Sequence, residues 1–400
     1  MDFWKRAGMA ALLLPLLLPL SAYPASLFGN SSTVLEWSDT PEGETAVEAY
    51  QYLRLSAKEL PGGVDFQVYG RLADDLKNET EPESRLYYGY LDKKDAFDRL
   101  DLRFGRQFIT TAAGASLLDG IKLDYAGLDP VSLSLYGGGD VSYYEGYSSK
   151  DWLSGLAATY APSETFETSL SYLQRWEDGE LGQELLGFDL DYDYRRALNL
   201  YGELQYSWLT EETTYFLAGV NYHRERDWNL RGEYLYSLPV FSATSIYSVF
   251  AAAKYQEASL EATLRLRNDL NAFIRLSREF YDDFDDAQVI ESGIEKLRNG
   301  SFSGYLVGSY RDDEEGQDLY GVKARLAYLF HRKFEAAFGA HIDVLERRLD
   351  DEDETTSQRL WIDITSYLSD SISLQGKVER IESDLWAEYY QGRVRLTISF

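Results

Sequence analysis

Few residues in this chain have the types and spacing to do chemistry. Its three histidines are His223, His331 and His341. Of these, His341 has a carboxylate close by, Asp343 two residues on, and in an extended segment that spacing puts both on one face. Such a pair can serve as a general base if a nucleophile or an activated water lies beside it. No hydroxyl or thiol in the sequence supplies that partner distinctively, so hydrogen bonding is the stronger reading for His341. The string DLDYD has the acidic spacing of a calcium loop in Asp189, Asp191 and Asp193. It lacks the glycine turn and the closing glutamate, and its alternation with Leu190 and Tyr192 reads as strand. With no cysteine, the chain cannot carry a CxxCH haem, a Cys-ligated zinc or a disulfide framework. No catalytic, cofactor-binding or metal-binding residue is expected, and no enzyme.

What does recur is charge at alternate positions. Asp101 and Arg103, Lys122 and Asp124, Arg231 and Glu233, Lys323 and Arg325, and Arg393 and Arg395 are each two apart, and Arg265 lies between Leu264 and Leu266. With Asp189, Asp191 and Asp193 they are expected to line the inside of a sheet closed on itself. There they would either pair across strands and brace the wall, or present opposed charges across a wet passage.

The elements that would position them alternate with period two. In LNLYGELQYSW, Leu200, Gly202, Leu204, Tyr206 and Trp208 oppose Tyr201, Glu203, Gln205 and Ser207. In ELLGFDLDYDY, Leu186, Phe188, Leu190, Tyr192 and Tyr194 oppose Gly187 and the three aspartates. Helical spacing would scatter these charges around an axis. Strands are read near 32–38, 46–56, 64–75, 84–92, 98–109, 118–126 and 130–137. More follow near 151–161, 165–176, 184–194, 198–209, 213–223 and 228–237. The rest lie near 257–267, 270–281, 287–298, 301–311, 318–330, 333–346, 357–368, 371–383 and 388–400. Most are about 9 to 12 residues, the length a tilted strand needs to cross a bilayer. The total is about 22, in a range of about 16 to 24.

The connections are expected to alternate as well. APSE, YRRALN, RND, RNGS, FHRK and LSDS are short and often basic, whereas NETEPE, VSYYEGYSSK, EDGELG, RDDEEGQD and DDEDETTS are longer and mostly acidic. Short turns on one rim and long loops on the other are the habit of membrane barrels. LTEE and SDLW break the length pattern.

Composition agrees. Hydrophobic residues make up 44% of the chain, and the mean hydropathy of -0.37 looks soluble, but a barrel exposes only alternate residues to lipid. The 32 Tyr and 8 Trp against 2 Met suit membrane interfaces, where one end of a ring is dry and the other wet. A net charge of -28 argues against nucleic-acid binding. Lys5 and Arg6, followed by AALLLPLLLPL and small residues at Ala22 and Ala25, read as a signal peptide over 1–25, cut near 22–25. The barrel would occupy 26–400, with no room for a plug domain.

The final segment alternates Tyr390, Gly392, Val394, Leu396, Ile398 and Phe400 with Gln391, Arg393, Arg395, Thr397 and Ser399. It resembles the C-terminal assembly signal of Gram-negative outer-membrane barrels. LRFGRQF, with Gly105, Arg106 and Gln107, followed by LLDG, resembles a strand-loop-strand element of porin-like and sugar-export barrels. Arg106 falls on the apolar register of Leu100, Leu102 and Phe104, so a bulge or the membrane rim must accommodate it. The TTAAGAS segment between the two pieces is small enough to fold inward as a constriction.

Over nearly its whole mature length the chain resembles outer-membrane porin-like proteins. That resemblance implies an all-β antiparallel transmembrane barrel without cofactors, passing ions or small hydrophilic solutes by passive diffusion. It implies outer-membrane lipid, lipopolysaccharide and the barrel-assembly machinery as partners. The alternative is a barrel sleeve around a periplasmic multihaem cytochrome, as in porin-cytochrome electron conduits, with every haem supplied by the partner.

Overall fold

The alternation becomes strand along the whole described chain. The computed structural model describes residues 26–39, 44–77, 80–142, 146–224, 227–238, 254–267, 269–282, 285–313, 318–346, 354–384 and 386–400, and among them it has 22 strands and no helix. The first seven are β1 (Ser26–Asp39), β2 (Thr45–Leu60), β3 (Val64–Asp75), β4 (Arg85–Lys93), β5 (Leu100–Thr111), β6 (Gly114–Leu128) and β7 (Val131–Ser142). Next come β8 (Gly146–Ser163), β9 (Phe166–Glu177), β10 (Glu180–Tyr194), β11 (Leu198–Ser207), β12 (Glu212–Arg224), β13 (Trp228–Ser237) and β14 (Tyr255–Arg267). The remainder are β15 (Leu270–Tyr281), β16 (Ala287–Lys296), β17 (Phe302–Asp313), β18 (Leu319–Phe330), β19 (Phe334–Glu346), β20 (Glu354–Ser369), β21 (Ile372–Ser383) and β22 (Trp386–Ser399). Every strand read from the sequence is present. The proposed signal segment 1–25 lies outside the described residues, as do Glu315 and Asp353 in two of the acidic loops.

Each strand pairs antiparallel with its successor, and β22 returns to β1, so the sheet closes into a ring. At the seam Leu35 faces Val394 and Glu36 faces Arg393. Gly29 and Phe400 exchange two backbone hydrogen bonds of 2.8 and 3.0 Å, so both ends of the ring's strands share one rim. Alternation then sorts the side chains. Phe188, Leu204, Leu260, Leu326 and Ile362 stand uncovered on the outer face, where lipid replaces the cover a soluble protein would need.

Several turns on the rim of Gly29 and Phe400 are tight. Ala197 N–H donates to the Tyr194 carbonyl (3.1 Å), and the two central residues, Arg195 and Arg196, both have φ of 56°. Lys333 and Phe330 repeat this around His331 (50°) and Arg332 (59°). Positive φ at both central positions matches the twist of the flanking strands. In the β14–β15 turn, a hydrogen bond from Lys296 holds the Asp269 carboxyl below its ordinary range.

The expected contrast in connection length is weaker than the sequence suggested. β5–β6 and β9–β10 are joined by two residues each, and β8 begins as early as Gly146. The acidic residues of EDGELG continue the ladder, Glu177 opposite Glu180. Strands with polar ends run on past the apolar belt because their hydrogen bonds do not depend on which face is dry.

Candidate functional site

The site begins where β5 and β6 leave the wall. The β4–β5 ladder ends at Gly89 opposite Arg106, and the β6–β7 ladder ends at Leu118 opposite Asp140. Beyond those points β5 and β6 pair with each other alone. The departure occurs at Gly105, whose φ of 126° is closed to most residues, paired with Gly120, which is itself paired with Gly138. The hairpin tip, Ala112 and Ala113, crosses to β9, β10 and β11. Ala113 N–H donates to Ser171 Oγ (2.8 Å), and Gln205 Nε2 donates to the Ala113 carbonyl (3.0 Å). Arg175 Nη2 donates to Ser116 Oγ (2.8 Å). The tip lies so close to β10 that a side chain at Gly187 would occupy its backbone.

Apolar packing fixes this arrangement. Ile109, Ala113 and Leu118 of the hairpin are buried against Tyr136, Leu153, Leu173 and Leu185, which project from the inner face of β7–β10. Burying a side chain of this size is worth roughly 1.5–3 kcal/mol. The sum is many times the thermal energy, so the hairpin is a standing obstruction in the lumen.

Just below the tip, toward the rim that holds Gly29 and Phe400, the inner wall is acidic. The inner face of β9–β11 carries Glu167, Asp189, Asp191, Asp193 and Glu203. Ser169 donates to Asp189, and Asn199 Nδ2 donates to Asp191 (3.1 Å). Among the described residues, none of these five carboxylates makes an ion pair. Half a ring away, the inner face of β18–β22 carries Lys323, Arg325, Arg359, Lys377, Arg393 and Arg395 against Glu335, Asp343, Asp363 and Glu379. Glu379 accepts from Arg359 (2.8 Å), Lys377 and Gln391, and Arg325 meets Asp363 at 2.7 Å. The lumen thus has an anionic arc opposite one with a surplus of cations.

The charged residues singled out in the sequence fall on this inner face, and most are braced locally. Lys122 pairs with Asp124 (2.8 Å) and Arg231 with Glu233 (2.6 Å). Arg103 lies 3.4 Å from Asp92 and over the Tyr90 ring, while Asp101 accepts from the Asp95 backbone (2.9 Å). Arg393 reaches Glu36 only at 3.9 Å, and Arg395 lies over Tyr52. Lys323 and Arg265 have no ion-pair partner among the described residues. His341 Nε2 lies 2.7 Å from Asp343 Oδ2, and among the described residues no hydroxyl hydrogen-bonds to that imidazole.

Two features escaped the sequence reading. Arg106 needs neither bulge nor rim. Its Nε and Nη2 both donate at 2.7 Å to Asp119, directly opposite on β6. Not all tyrosines serve the interface: Tyr50, Tyr52, Tyr69, Tyr88 and Tyr90 stand on the inner face of β2–β4, successive ring centroids 5.8–6.4 Å apart. Their parity opposite Leu53, Val68 and Leu91 was the available signal.

No protein-family model and no curated protein matches this sequence. Solved structures share its fold. Pseudomonas aeruginosa OpdQ is 11% identical, with 94% of this chain and 99% of that one covered and a TM-score of 0.50. The translocation pore of the P pilus usher PapC is 10% identical over 94% and 99%, with a TM-score of 0.52. An Escherichia coli P pilus tip assembly intermediate containing PapC gives 10% identity over 95% and 62%, with a TM-score of 0.56. At such identities the likeness is one of fold: the chain is a closed 22-stranded antiparallel β-barrel, the architecture that OpdQ and the PapC pore share with it.

Proposed function

We propose that this barrel is an outer-membrane channel for passive diffusion of ions or small hydrophilic solutes. The observation that carries the reading is the hairpin tip at Ala113, fixed inside a polar lumen against β9–β11, just above an acidic strip without ion pairs among the described residues. Solutes would be selected by size at the hairpin and by charge between the two arcs, without covalent chemistry. Acidic residues beside the hairpin tip would concentrate cations, and the cationic arc opposite would keep that preference modest. The hairpin also takes up space that a cytochrome-filled sleeve would need, which favours the channel over the sleeve.

The test is reconstitution of the purified protein in planar bilayers, with haem absorbance measured on protein taken from native membranes in mild detergent. Stable ion conductance without stoichiometric haem is expected. A sealed bilayer, or haem in stoichiometric amount, would overturn the reading.

A further inference from the structure

Two turns on the rim of Gly29 and Phe400 carry cations where the backbone favours other residues. Arg195 and Arg196 between β10 and β11, and His331 and Arg332 between β18 and β19, have φ between 50° and 59°. Glycine and asparagine fill such left-handed positions most readily. On the opposite rim the β9–β10 turn uses that chemistry, with Asp178 at 52° and Gly179 at 84°. The chain therefore keeps three guanidinium groups, with Lys333 beside one of them, against the local preference of the backbone. All four cations are exposed, and among the described residues none makes an ion pair.

Each turn caps a lipid-facing aromatic stretch. Tyr192 and Tyr194 hold the outer register of β10, their rings 6.4 Å apart, and the Arg195 guanidinium lies 4.9 Å from the centre of the Tyr194 ring. Tyr194 is 43% exposed on the outer face, so that cation stands on the lipid side of the wall. At the second turn Tyr328, Phe330 and Phe334 form the same belt, successive centroids 4.6 and 5.8 Å apart. A ring with a cation just beyond it spans the level where a bilayer passes from acyl chain to headgroup. A guanidinium at that level presents paired donors to a phosphate. Three other turns of this rim place acids there instead: Asp129 between β6 and β7, Glu164 between β8 and β9, and Asp370 between β20 and β21.

We propose that the Arg195–Arg196 and Arg332–Lys333 turns hold the phosphodiester groups of anionic phospholipids in the leaflet on that side. The aromatic belt beneath each turn gives the acyl chains their contact, which is why a lipid fits better than a free anion. At a net charge of -28 the chain as a whole would be repelled by an anionic surface, so the binding has to be local. The proposal rests on the membrane-spanning reading above and adds a partner to it.

Because the chain has no cysteine, one fluorophore can be placed at Leu198→Cys or Ile372→Cys. Both residues open a strand on the outer register, the first after the Arg195–Arg196 turn and the second after Asp370. Labelled barrels in phosphatidylcholine vesicles receive brominated phosphatidylglycerol or brominated phosphatidylcholine at one low mole fraction. Quenching at 198 is expected to be severalfold stronger with the phosphatidylglycerol, whereas at 372 the two lipids should quench alike. No preference at 198 would overturn the proposal, as would an equal preference at both positions. Arg195→Asn with Arg196→Gly removes both cations and supplies residues the turn favours, so heat-modifiable migration should be kept and the preference at 198 lost. Arg195→Gln with Arg196→Gln takes its place if migration is lost. A folded variant that retains the preference would overturn the proposal. So would inorganic phosphate that abolishes it at an ionic strength where chloride does not, which would assign the turns to free phosphate. Neither lipid quenching either position would overturn the membrane reading and the proposal together. Ion conductance of the same preparations keeps the readings apart: conductance without the preference removes the headgroup site alone, and the preference without conductance removes the channel alone.

Discussion

Arg106 and Asp119 face each other across β5 and β6 in a two-pronged ion pair, on a face that two residues lower carries Phe104 opposite Ile121. A charged pair there is tolerable because each partner satisfies the other, and because Arg106 also serves the Leu86 carbonyl at the edge of β4. The pair sits where the hairpin turns inward, so it braces the bend.

Removing one partner should therefore cost more than removing both. Arg106→Ala leaves Asp119 without its donors and should destabilise the barrel by about 1.5–3 kcal/mol, the range for hydrogen bonds to charged groups. Arg106→Leu combined with Asp119→Leu should cost less than the single change. Urea unfolding of the vesicle-inserted protein checks this, and additive losses in the cycle would show that the pair is not coupled.

Shortening the hairpin should widen the channel. Replacing residues 108–117 with a two-residue turn removes Ala113 from the lumen and exposes Leu153, Leu173 and Leu185 to water. Single-channel conductance should rise severalfold, with heat-modifiable migration retained. Unchanged conductance in a folded variant would place the constriction elsewhere.

How much of this was legible in the sequence depends on the range of the interaction. Strand positions were readable because alternation is local: Leu190 between Asp189 and Asp191 already says which face is dry. The small residues of TTAAGAS marked a segment able to fold inward. The wall it packs on was not readable, because Leu153, Leu173 and Leu185 lie on three other strands and look like ordinary members of apolar runs. Arg106 stood out as misplaced, but its partner is fixed by the register between β5 and β6, which no local pattern encodes. The length contrast between the two rims came out weaker than expected for the opposite reason. Glu177 and Glu180 look like loop residues, yet the ladder carries them.

Charge selection should reside in the acidic strip. Asp189→Asn, Asp191→Asn and Glu203→Gln together remove three of the carboxylates below the hairpin tip, none of them ion-paired among the described residues. The reversal potential across a salt gradient should shift away from cations, and the difference from the parent should shrink as salt is raised and screening sets in. A parent and variant with the same reversal potential at low salt would assign selectivity to the acidic loops.

Assembly should depend on Phe400. Its backbone exchanges two hydrogen bonds with Gly29, the last link of the seam between β22 and β1. Its ring stands over Gly29, where there is no side chain to displace it. It also ends the apolar register of Tyr390, Val394, Leu396 and Ile398, which an assembly machinery could read before the barrel closes. Phe400→Asp keeps the backbone bonds and removes the aromatic, whereas deleting the residue removes both. If the ring is the recognised feature, both variants should lose most of their folded, heat-modifiable form in the membrane fraction. If only the seam matters, Phe400→Asp should assemble at normal levels while the deletion does not. Normal assembly of both would leave the terminal strand as one wall element among 22.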